Sequence, residues 1–166
     1  MPRPKDLVLP VERITPPGEH FFFGYYDNPA WSGDEQYHLC HRVPFFDRLP
    51  GEDDAAELGM IRAADQTYFA FADTTAWNFQ QGSMLQWNPD APNTEVLFNR
   101  RSGDRYVGVR LNVFTDQEHQ LTQPVAAVSP AGRWAVGLNF SRIFDFRAGY
   151  GYAGIPDPHT AVAQPT

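Results

Sequence analysis

The chain has 166 residues, 42% of them hydrophobic and 14% aromatic, and carries a formal net charge of −7. This balance excludes a largely disordered chain. The acidic charge argues against nonspecific nucleic-acid binding. Thirteen Gly and fifteen Pro exclude a helical bundle or coiled coil and favour short elements joined by turns. The one cysteine, Cys40, excludes an internal disulfide and a Cys-based zinc site.

In chain order the pattern is β. Residues 1–17 read as an N-terminal extension without an apolar signal core. An aromatic strand follows at 21–26, ended by Asp27-Asn28-Pro29. Residues 36–43 alternate: Tyr37, Leu39, His41 and Val43 share one side, and Gln36, His38, Cys40 and Arg42 the other. An acidic loop is expected at 47–57. Apolar runs then come at 58–63, 67–72, 84–87, 95–98, 106–114, 125–128 and 133–140, separated by Pro, Gly and Asx turns. Helix support is slight. Residues 156–166 lose the β pattern and read as a disordered tail. No stretch is apolar for about 18 residues, so no membrane span is expected and the chain reads as cytoplasmic.

A repeat lies beneath the pattern. Asn28-Pro29-Ala30-Trp31-Ser32-Gly33 leads to Leu39-Cys40-His41-Arg42, Gln86-Trp87-Asn88-Pro89-Asp90 to Leu97-Phe98-Asn99-Arg100, and Val128-Ser129-Pro130-Ala131-Gly132-Arg133 to Leu138-Asn139. A period of about 40–45 residues with four strands per unit marks propeller blades, with a β-sandwich as the other reading. The expected fold is all-β: about two and a half four-stranded blades at 18–74, 75–123 and 124–155, the last incomplete. Such a segment does not close a ring of about 4–8 blades, so a fragment of a six- to eight-bladed ring is expected.

The segment Val128-Ser129-Pro130-Ala131-Gly132-Arg133-Trp134-Ala135-Val136 resembles the turn of TolB-type, WD40-like β-propeller repeats, with Ala131 where the usual Asp stands. His20-Phe21-Phe22-Phe23-Gly24-Tyr25-Tyr26-Asp27, the stretch from Ala76 to Trp87, and Gly149-Tyr150-Gly151-Tyr152-Ala153-Gly154 resemble an uncharacterised group of bacterial cytoplasmic propellers. That group is distantly similar to oligogalacturonate lyases, seven-bladed propellers that act on pectin fragments with a divalent metal. The resemblance covers roughly residues 18–158. None of the lyases' metal-binding residues carries over, and a shared fold alone is a poor guide to activity.

On a propeller, the links between blades and the loops between second and third strands share one face. These loops hold His20, Arg42, Trp77, Gln80, Gln81 and Arg142, the expected substrate-binding set, since Trp, Gln and Arg suit sugars and carboxylates. No three-ligand metal site is expected from His38, Cys40 and His41 alone, because strand alternation sends His41 to the face opposite His38 and Cys40; a single His could still join ligands from further blades. No nucleophile elbow, phosphate loop or dinucleotide fingerprint is present. Two functions stay open. One is recognition or processing of an anionic oligosaccharide at the loop face; an enzyme of this kind would be a polysaccharide lyase or glycoside-active protein needing further blades. The other is a non-catalytic module that binds a protein partner.

Overall fold

The computed structural model describes residues 10–163. The first nine residues of the N-terminal extension and the last three of the tail lie outside the described residues. The fold is all-β in class, built of three antiparallel sheets. The first contains β1 (His20–Phe22), β2 (Tyr37–Val43), β3 (Ala56–Arg62) and β4 (Tyr68–Thr74) in sequential order. The second repeats that order with β5 (Gln86–Trp87), β6 (Glu95–Ser102), β7 (Arg105–Asn112) and β8 (Glu118–Gln120). The third is a hairpin of β9 (Ala127–Val128) and β10 (Ala135–Val136), followed by α1 (Phe140–Phe146) and a 3-10 turn at Ala148–Tyr150.

The turns repeat as well as the strands. Gln66 and Asp116 both adopt a left-handed conformation, and their N–H groups bond back to the Arg62 and Asn112 carbonyls. The turns opening the first and third sheets also match. Ser32 and Ser129 each bond to the residue five positions on, with Glu35 and Gly132 at φ 59° and 66°. Gly meets that requirement at lowest cost. Between β6 and β7 the two-residue loop opens on Gly103 at φ 64°, as hairpin twist favours.

Local differences from the expected elements have local causes. The aromatic strand stops at Phe22, because Gly24 turns the chain at φ 129° and the Asn28 N–H closes onto Tyr25. β3 begins at Ala56 and takes the end of the acidic loop. Helix α1 replaces an expected loop. Its support is tertiary: Phe140 is buried beside Tyr152, and Asn139 caps the helix by accepting from the Arg142 N–H.

The main core lies between the first two sheets. Leu39, Leu58 and Met60 meet Trp87, Val96, Phe98, Val109 and Leu111, with Phe69 and Phe71 against them. Register places His41 beside Phe22 and Leu58, on the strand side that Leu39 and Val43 share. The opposite face of the second sheet carries Asn99, Gly108 and Tyr106 toward the third sheet and α1. Gly108 leaves room for the link at Gln123–Val125, which a Cβ would strike.

Neighbouring sheets are tied by one recurrent device. The second strand of each four-stranded sheet buries a polar side chain that grips the link leading onward. In β2 it is His41: Nδ1 lies 2.7 Å from the Phe23 carbonyl, and Nε2 accepts from the Ser83 N–H at 3.0 Å. In β6 it is Asn99: Oδ1 accepts from the Val125 N–H at 2.7 Å, while Nδ2 donates to the Val125 carbonyl and Tyr152 Oη. Both side chains are fully buried, so each bond is made where an unmade one costs about 1–3 kcal/mol.

Candidate functional site

The ends of β2 and β4 and the starts of β1 and β3 frame a cleft of about 510 Å³. Glu19, His20, Arg42, Glu57 and Asp73 line it, with Val43 and Pro44. Among the described residues, Arg42 is the only guanidinium on this wall. It bridges Glu19 at 3.0 Å and Glu57 at 2.7 Å and lies over the Tyr68 ring. The Tyr68 hydroxyl donates to Glu57, and burial followed by that contact raises its pKa. Asp73 stands opposite Glu57 in the β3–β4 register. Three carboxylates therefore share the cleft with one arginine, which disfavours an anionic ligand here.

The long connection Pro44–Ala55 borders this cleft and is a built loop. Arg48 forks onto Asp54, whose carboxylate also accepts from the Gly51 N–H. These contacts hold the Asp54 carboxyl down at about 2, the Arg48 hydrogen bond acting most strongly. Arg48 also stacks on Phe45, 3.7 Å from the ring centre. Trp77 donates to the Asp54 carbonyl at 2.7 Å. From this frame Phe46 and Leu49 project 69% and 53% exposed, beside the exposed acidic residues Asp47, Glu52 and Asp53.

The six expected site residues separate. His20 and Arg42 share the cleft, with His20 edge-on to Phe46 at 4.6 Å. Trp77 is fully buried among Phe22, Phe45 and Phe79 and offers no ring face to a sugar. Gln80 is exposed, while Gln81 is buried; both backbone N–H groups bond to Asn78 Oδ1, and the Gln81 amide oxygen meets no donor among the described residues. Arg142 sits on α1 and binds Asp157 at 2.8 Å and the carbonyls of His159 and Val162. Residues 157–163 carry no strand, yet Asp157 is buried by these contacts.

Sequence reasoning missed the interior polar residues, Asn78, Ser83, Asn99 and Tyr152. The available signal was the matched position of His41 and Asn99, each two residues after a core Leu in its repeat. His41 is neutral in this setting: burial pushes its pKa down to about 4, only partly opposed by the Phe23 carbonyl. Burial pushes the Cys40 thiol up to about 12, far from a reactive thiolate.

Among the described residues, no group of three or more His, Cys, Asp and Glu is placed to hold a metal ion. Among the described residues no helix is long and apolar enough to cross a membrane. Comparison with protein families, with curated proteins and with solved structures finds no match to this chain.

Proposed function

We propose that the two meanders and the hairpin are successive blades of a β-propeller, and that this segment is a non-catalytic module binding a basic protein surface. The repeated strand order, the matched turns and the paired His41 and Asn99 grips support the blade reading. The observation that carries the function is the Pro44–Ala55 loop. It is held in one shape by Arg48, Asp54 and Trp77, yet exposes Phe46 and Leu49 among carboxylates. Apolar anchors inside a charged rim are the anatomy of a protein interface, and a preformed loop lowers the ordering cost of association. The carbohydrate reading is weaker, because Arg42 and Arg142 are engaged by carboxylates and Trp77 is buried.

Binding to an array of peptides tests this. Peptides that combine Lys or Arg with an apolar anchor should bind, more weakly as salt rises. That binding should fall at least about tenfold in a Phe46→Ala, Leu49→Ala variant, as loss of interface anchors does. Binding of uronate oligosaccharides that is lost in Arg42→Ala, with no peptide captured, would overturn the proposal and restore the carbohydrate reading.

A further inference from the structure

A second cavity, of about 820 Å³, shares no lining residue with the cleft described above. Its walls come from the second sheet, the third hairpin, α1 and the chain after Tyr152. Tyr106, Gln123, Leu138, Phe140, Ile155 and Pro158 are among its lining residues. Its volume and mixed lining suit a small molecule with an apolar body. Asp104, Arg105 and Gln123 supply polar groups on its wall.

The wall made by the chain end is attached unequally. Up to Ala153 it is anchored deeply. Asn78 donates to the Gly151 carbonyl, Tyr106 Oη reaches the Tyr152 and Ala153 carbonyls, and Tyr152 is fully buried. Gly151 packs against the Phe140 and Phe144 backbone, where no Cβ fits. Beyond Ile155 the attachment to the body is different. Among the described residues, the Asp157 N–H bonds to Asp145, the Asn139 side chain also reaches the Asp157 carboxylate, and the other hydrogen bonds from the body to residues 156–163 come from Arg142. Residues 158–163 are exposed and belong to no strand.

We propose that residues 156–163 are a strap whose Pro156 and Pro158 form one wall of this open cavity, that Arg142 is its latch, and that release at the Ile155–Pro156 junction widens the cavity for an apolar-bodied small ligand. One guanidinium holds a buried carboxylate and two carbonyls, so losing it frees most of the segment in one step. The core beneath does not depend on the strap, because the residues packed on it run only as far as Ile155.

The test compares the full chain with Arg142→Gln and Arg142→Lys by residue-resolved hydrogen exchange and by titration with 8-anilinonaphthalene-1-sulfonate. In Arg142→Gln, the Asp157, His159 and Val162 amides should exchange about tenfold faster or more, while those of β6 and β7 keep their wild-type rates. The dye should bind saturably at one equivalent, at least about tenfold tighter than to wild type. Arg142→Lys should fall between the two on both readouts, and it alone decides the matter if the Gln variant does not fold. Unchanged strap exchange, faster strap exchange without a dye site, or exchange accelerated equally in the sheets would each overturn the proposal.

Discussion

Acidification should weaken the seam between the first two sheets through one residue. His41 is fully buried, stacked on Phe22 and bonded on both ring nitrogens. Nδ1 donates to the Phe23 carbonyl, so Nε2 must be bare to accept the Ser83 N–H. A second ring proton would take the acceptor from the Ser83 N–H, with only the Ser83 hydroxyl, 3.0 Å away, left to receive it. Burial accordingly moves the folded-state pKa from 6.5 to about 4. The depressed value fixes the sign. Below 6.5 the unfolded chain takes up a proton that the folded chain refuses, so stability falls as pH drops from 6.5 through 4. Linkage puts the loss at about 2 kcal/mol between pH 7 and pH 5, and about 3 kcal/mol by pH 4.

The assay is urea unfolding, followed by tryptophan fluorescence, on the native chain and on His41→Gln. Titrations common to both chains cancel in the difference. The stability advantage of the native chain over the variant should shrink by about 2 kcal/mol from pH 7 to pH 5. Should the variant not fold, carbon chemical shifts of the His41 ring in the native chain report the same quantity, with a midpoint near 4 expected. A pH-independent difference, or a ring that titrates near 6.5, refutes the reasoning.

Three further outcomes follow from the same contacts. Asn99→Ala removes three buried hydrogen bonds and should cost about 3 kcal/mol in chemical denaturation. Gly82→Ala places a Cβ against the His41 ring at φ 60° and should cost about 2 kcal/mol or more; a smaller cost in a His41→Ala background, measured by a double-mutant cycle, would show that the ring is the obstacle. Arg42→Ala breaks ion pairs that are about one-third exposed and should shift stability by less than about 1 kcal/mol, read from the same unfolding curves.

The β class and most turns were legible because they depend on local chemistry. The alternation at 36–43 and the turns at Ser102-Gly103-Asp104 and Ser129-Pro130-Ala131-Gly132 carry their signal in adjacent residues. The link between the first two sheets misled for a physical reason. Connections are expected on the surface because an interior one must satisfy its backbone. Here Asn78 and His41 do so, and the stretch from Ala76 to Asn88 runs largely through the interior. Trp77 thus becomes core. Helix α1 has no amphipathic stripe to find, since its seven residues are fixed by Phe140 and the Asn139 cap. The pairings of Arg42 and Arg142 were hidden for another reason. Their partners lie 15 or more residues away, and no spacing rule reaches that far.

The two grips also govern how the molecule can come apart. Repeated units whose contacts run mainly between neighbours behave as a linear chain of coupled domains, with stability divided between units and seams. Here the seams are chemically unequal: an imidazole closes the first and a carboxamide the second. A carboxamide does not titrate, so protons address only one of them. Acid would thus act as a selective solvent, separating the first sheet from the second while the second stays docked to the third. The choice of His rather than Asn at one interior position gives a repetitive fold a preferred line of cleavage.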